Sequence, residues 1–189
     1  MTGNVITGMT VGVQITSIDV TIDYKDFVSY SNNGEYSMAR LKKLRNGDNL
    51  FRNQSLESFN ATMPHLTTAQ NMFNGCSNLM SFASNMPNLE DGSNMFKGCS
   101  KLTTFSGMMP NIKSATDMFK GCILNKQSVK NIINQLQNSS GIGHNAIENI
   151  TLGINSIEKD DAAFIEYLNK NKFITSASGT RWKLNINWN

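Results

Sequence analysis

One phrase recurs three times at a spacing of 23 residues: Met72-Phe73-Asn74-Gly75-Cys76, Met95-Phe96-Lys97-Gly98-Cys99 and Met118-Phe119-Lys120-Gly121-Cys122. Other columns keep the same period, among them Leu56, Leu79 and Leu102, then Phe59, Phe82 and Phe105. Met63, Met86 and Met109 follow it, as do Pro64, Pro87 and Pro110, and Leu66, Leu89 and Ile112. All three prolines and all three cysteines of the chain fall in these columns. A fixed period in the twenties is the mark of stacked units, each burying its apolar face on its neighbours. The expected fold class is therefore an α/β repeat, a solenoid with a ladder of parallel strands.

Within a unit the residue types divide labour. Leu79-Met80-Ser81-Phe82 reads as a short strand, stacked between Leu56-Glu57-Ser58-Phe59 and Leu102-Thr103-Thr104-Phe105. Successive strands would lie about 4.8 Å apart, so each apolar column runs as a ladder through the core. Met86-Pro87 reads as a corner, because proline fixes φ and removes a backbone donor. Met95-Phe96 reads as a short helical turn ending at Gly98, where positive φ carries no penalty. The cysteine that follows should point inward as a small hydrophobe. The expected repeat core is thus Leu56, Phe59, Met72, Phe73, Cys76, Leu79, Phe82, Leu89, Met95, Phe96, Cys99, Leu102, Phe105, Met118, Phe119 and Cys122.

The repeat starts before its obvious copies. Leu44-Arg45-Asn46-Gly47-Asp48-Asn49-Leu50-Phe51 matches Leu89-Glu90-Asp91-Gly92-Ser93-Asn94-Met95-Phe96, but the stretch Arg52 to Leu56 is one residue short and lacks both Gly and Cys. A degenerate first unit is what an N-terminal cap looks like. Three segments follow: a β docking or capping segment over 1–34, the repeats over 35–124, and a cap over 125–189.

In the first segment Val11, Val13 and Ile15 alternate, as do Ile18, Val20 and Ile22, and Asn32-Asn33-Gly34 closes it as a turn. Two strands make a marginal ribbon alone, so they should either find an edge in another chain or cap the first unit. In the last segment Val129, Ile132, Ile133 and Leu136 follow helical spacing, with Ser128 or Asn125 as N-cap. Ile150, Leu152 and Ile154 alternate as a strand; a helix is expected near 158–171 with Asp160 and Asp161 in its first turn and Phe164, Ile165 and Leu168 inward. Trp182, Leu184, Ile186 and Trp188 alternate as a final strand. This αβαβ unit should seal the repeat by extending its sheet.

The phrase Met95-Phe96-Lys97-Gly98-Cys99-Ser100-Lys101-Leu102-Thr103-Thr104-Phe105 resembles the BspA-like branch of leucine-rich repeats over residues 40–124. The departures are Phe in place of a second Leu and no Leu-x-Leu core, so horseshoe curvature does not carry over. The stretches Lys126 to Ile132 and Trp182 to Trp188 resemble C-terminal caps of such repeats, found in gut anaerobes and in tail or fibre proteins of their bacteriophages. The resemblance implies adhesion or structural display and supplies no catalytic residues.

The remaining features agree. A net charge of +3 with 16% charged residues is too weak to argue for nucleic acid, and the basic run Arg40 to Arg45 reads as a solvated face. No apolar stretch approaches a membrane span, and the first residues lack a secretory signal pattern. Either the protein is made in the cytoplasm and assembled there, or the sequence belongs to a longer secreted chain. His65 and His144 fit no metal or triad spacing, and Gly141-Ile142-Gly143-His144 lacks the strand and helix of a dinucleotide site. The Asn-x-Ser/Thr sequons at Asn53, Asn60 and Asn149 are by-products of an Asn-, Ser- and Thr-rich surface. No His, Asp or Glu accompanies the cysteine column, so core thiols are expected and no cofactor. The expectation is a non-enzymatic virion component of a bacteriophage, contacting other virion proteins or a host-surface protein or glycan, with further copies of itself as another candidate partner. The alternative is a bacterial cell-surface adhesin.

Overall fold

A computed structural model describes residues 35–37, 44–140 and 147–189. Within them the chain is a mixed α/β protein with two largely parallel sheets, two α-helices and no closed barrel. The alternating segment 1–30 and the Gly141-Ile142-Gly143-His144 loop lie outside the described residues.

The first sheet has the order β1-β2-β3-β4, formed by Glu35–Ser37, Ser58–Asn60, Ser81–Phe82 and Thr104–Phe105. Every pair is parallel and offset by one period: Tyr36 lies beside Phe59, Phe59 beside Phe82, and Phe82 beside Phe105. Further bridges run alongside, joining Thr62 to Asn85 to Met108, and Asn46 to Thr68 to Asp91 to Ser114. Two phenylalanine columns fill the space between these ladders. Phe59, Phe82 and Phe105 stack at 5.6 Å per step. Phe73, Phe96 and Phe119 stack at 5.5 and 5.4 Å, and the two columns meet edge to face, as with Phe82 and Phe96 at 4.7 Å. Such offsets suit the aromatic quadrupole better than a face-to-face sandwich.

The stretch after Pro87 turns without forming a helix. Asn71, Asn94 and Asp117 hold φ of 57°, 56° and 52°, a left-handed conformation that interrupts any right-handed helical run. Successive i to i+3 turns replace the expected helical one: Met95 N donates to Gly92 O and Lys97 N to Asn94 O. Gly98 and Gly121 close the turns at φ 76° and 81°. In the first unit Asn53, at φ 60°, takes the glycine position, its N–H donating to Asn74 O as Gly75 N does to Lys97 O. The missing residue of that unit therefore falls after Gln54, not at the glycine.

Three proline corners follow one pattern, with Leu66, Leu89 and Ile112 N–H groups donating to Met63, Met86 and Met109 carbonyls. Asn88 and Asn111 tie neighbouring corners, each amide donating to the preceding proline carbonyl at 2.6 and 2.7 Å. His65 fills the same place in the first corner and is exposed.

The first sheet is closed by a helix, not by further strands. Helix α1 (Lys126–Gln137) is N-capped by Asn125, whose side chain accepts from Ser128 N. Ser128 is free of the capping role and buried, where its hydroxyl accepts from Phe105 N at 2.9 Å and donates to Thr103 O at 3.2 Å. Gln135 acts likewise: its Oε1 accepts from Met109 N, and its Nε2 donates to Gly107 O. Two side chains thus satisfy the backbone groups that the next strand would have met. The C-terminal strands do not extend this sheet, contrary to expectation.

They extend another. Strand β5 (Phe119–Leu124) starts a second sheet of order β5-β6-β8-β7, with β6 spanning Ile147–Ile154, β7 Phe173–Thr175 and β8 Arg181–Trp188. β5, β6 and β8 are parallel, and β7 is antiparallel to β8. The cap is therefore αβαββ, with a short hairpin strand that sequence periodicity did not indicate. Gly153 makes the β5–β6 contact possible, because a Cβ there would lie 2.4 Å from Cys122 O. The second helix begins later than 158: a 3-10 helix covers Ser156–Asp160, and α2 covers Ala162–Lys170. Asp161 is its N-cap, accepting from Phe164 N, and also pairs with Lys126 of α1. Phe164 and Leu168 are buried and Ile165 is half-buried.

Candidate interaction face

Every residue of the expected repeat core, from Leu56 and Phe59 through Phe119 and Cys122, is buried at 1% exposure or less. Their burial is collective: Phe82 lies between Phe59 and Phe105, and Phe96 between Phe73 and Phe119.

The cysteine column is chemically quiet. Cys76, Cys99 and Cys122 are free thiols, and each S–H donates to a carbonyl of the preceding unit. The acceptors are Phe51 O at 2.9 Å, Phe73 O at 3.1 Å and Phe96 O at 3.2 Å. Burial pushes the Cys76 thiol up to about 11 and raises the other two as well. A thiol that resists deprotonation is a poor nucleophile and a poor metal ligand. Among the described residues no group of three or more His, Cys, Asp or Glu is placed to hold a metal ion.

Charge is distributed unevenly around the units. The segments 58–65, 81–88 and 104–111, which carry the strands and the proline corners, contain no Asp, Glu, Lys or Arg. Asn60, Thr62, Ala83, Asn85, Ser106 and Met108 are exposed along them. Met108 is 56% exposed, unusual for so large an apolar side chain in a row of small polar ones. The turn side carries the ions instead. Asp117 meets Lys97 at 3.1 Å and Lys120 at 3.2 Å, and accepts from the Thr151 hydroxyl at 3.0 Å. Partial burial opposes its charge, but those hydrogen bonds outweigh it and hold the carboxyl below its usual value. Lys113 pairs with Glu90 at 2.8 Å. Burial, with Asp91 nearby, pushes Glu148 of β6 upward.

An uncharged polar strip of this kind can make hydrogen bonds and van der Waals contacts across several units, and little else. Asn60 and Asn149 of the sequons are exposed on β2 and β6, and His65 stands exposed at the first corner. The strip itself escaped the columnar reading of the sequence because its positions do not repeat in residue type. The signal available was the absence of charge from the three equivalent stretches 58–65, 81–88 and 104–111. Comparison with protein-family models, curated proteins and solved structures finds no match to this chain.

Proposed function

We propose that this chain is a non-catalytic structural or binding component of a bacteriophage particle, such as a fibre, tail or capsid-attached protein. In this reading residues 35–124 are a leucine-rich-repeat-like solenoid of the BspA type. It displays its strand face to other virion proteins or to a host-surface protein or glycan. The observation that carries the reading is the in-register stacking of 23-residue units, which leaves one continuous uncharged face exposed while ion pairs occupy the other side. Shape repetition, with no cluster of metal-ligating groups among the described residues, favours contact over turnover. An uncharged contact surface also predicts binding that responds little to salt.

Immunogold electron microscopy against this chain, on purified virions and on bacterial cells, tests the reading. Label on particles, with capsid and tail genes beside its own, is the expected result. Label on the cell envelope instead would replace the proposal with a bacterial adhesin of the same repeat type. Turnover of any substrate that survives removal of the repeats would overturn both.

A further inference from the structure

Strand β8 keeps one edge against β6 along its full length, from Arg181 to Trp188. Among the described residues its other edge is covered only at the start. β7 pairs with Arg181, Trp182 and Lys183, and the Leu184 N–H donates to the Lys172 carbonyl at 3.0 Å. Backbone groups of a strand alternate in direction, so residues two apart point to the same side. Leu184 points away from β6, whereas Asn189 N–H donates back to Ile154 O at 2.9 Å. Ile186 and Trp188 therefore also present their N–H and C=O groups outward. Among the described residues no strand pairs with them there.

Two further observations say what this edge would accept. A cavity of about 430 Å³ lies beside it, with Leu168, Lys172, Lys183, Leu184 and Ile186 in its wall. Among the described residues its only charged lining residues are the two lysines, both exposed, and Lys159 Nζ stands 5.8 Å from the Trp188 ring centre. Lysines at a sheet edge repel a second copy of the same edge and admit a strand of opposite charge.

We infer that the outer edge of β8, from Leu184 to Trp188, is a strand-addition site for an extended acidic segment of a partner protein. Such a segment pairs its backbone with Ile186 and Trp188, and sets its carboxylates against Lys172 and Lys183. The inference stands on the cap alone and does not depend on the repeat face.

Trp182 and Trp188 are the only tryptophans of the chain, and both lie on β8, so intrinsic fluorescence reports on the edge directly. The full chain would be titrated with an end-blocked peptide alternating glutamate and valine. A saturable change is expected, weakened at least about tenfold by raising salt from about 0.05 to 0.5 M. Lys172→Glu combined with Lys183→Glu should abolish it and transfer binding to the lysine–valine counterpart of the peptide. Ile186→Pro removes an outward donor while sparing the β6 ladder, and should abolish binding with the melting temperature kept. If that variant fails to fold, a peptide N-methylated at alternate amides removes the same bonds from the other side. Equal binding of acidic and basic peptides, indifference to N-methylation, or no saturable change would overturn the inference. So would self-association through this edge, or binding seen only after residues 1–34 are deleted.

Discussion

In residues 44–124 the buried Phe, Met, Leu and Cys columns set like against like one unit away, while in residues 126–189 the buried contacts differ from one position to the next. Phe82 stacks on Phe59 and Phe105 with interplanar angles of 6° and 3°. In the cap, Trp182 sits beside Glu148 of β6 in register and opposite Ile174 of β7, and no position repeats another. The difference shows how each region fixes its register. The repeats need only one solution, since a slip of one residue would misplace every column at once. The cap has to solve each contact separately, with a capping Asn125, an Asp161 shared between two helices, and a glycine where strands approach closely. Damage should therefore spread in the repeats and stay local in the cap.

The largest effect is expected in the aromatic columns. Phe105 is fully buried and touches the rings of Phe82, Phe96 and Phe119. Phe105→Ala should cost about 3 to 5 kcal/mol in denaturant melts. A loss below about 1 kcal/mol would mean that the column is not a shared core.

Next comes the joint between the regions. Gly153→Ala would set a methyl group 2.4 Å from Cys122 O and 2.6 Å from Cys122 N, so the backbone must move. A loss of about 1 to 3 kcal/mol is expected, with amide exchange rising at the β5–β6 pair and unchanged at β2–β3. Equal exchange in both sheets would erase the distinction between them.

This contrast also marks how far the sequence could be read. The apolar columns, the strand at each Leu-x-x-Phe and the left-handed glycines were legible because three copies voted on each position. Tyr36 was not, because the first unit shifts register: Tyr36 pairs 23 residues ahead, but Asn46 pairs with Thr68. The left-handed Asn71, Asn94 and Asp117 were hidden because asparagine and aspartate are also common in ordinary turns. Which sheet the cap would join was equally illegible. Ser128 and Gln135, which meet the last strand's backbone, are two polar residues on an amphipathic helix whose pattern is dominated by its apolar stripe. The uncharged face was open to a charge count but not to a search for columns.

The helical closure of the first sheet offers a smaller test. Ser128→Ala would strand the buried Phe105 N–H, while the Thr103 carbonyl keeps its bond from Asn125 N, at a cost of about 1 to 3 kcal/mol. Gln135→Ala exposes part-buried groups that water can reach, so about 0.5 to 1 kcal/mol is expected. Equal losses would mean that the helix is held by its apolar stripe alone.

At neutral pH the thiols contribute no slope, and their effect shows only on the alkaline side. A thiol raised in the folded state keeps its proton where the unfolded chain has lost it, so its stabilising contribution is complete below about pH 9. For Cys76 it then falls as pH rises toward about 11, by up to about 1.4 kcal/mol per pH unit. Urea midpoints at pH 7, 9 and 10 should show that decline, and Cys76→Ala should make it shallower, the Cys99 and Cys122 thiols carrying the rest. Maleimide should label the native thiols only after unfolding, and rapid native labelling would contradict their burial.

The central claim is that neighbouring 23-residue units lie one strand spacing apart in register. Site-specific labelling of the Phe59, Phe82 and Phe105 rings, read by nuclear Overhauser contacts, measures this most directly. Ring centres 5.6 Å apart predict cross-peaks between Phe59 and Phe82 and between Phe82 and Phe105, and none between Phe59 and Phe105. Missing neighbour contacts, or a direct contact between Phe59 and Phe105, would contradict the stacking and the interaction face built on it.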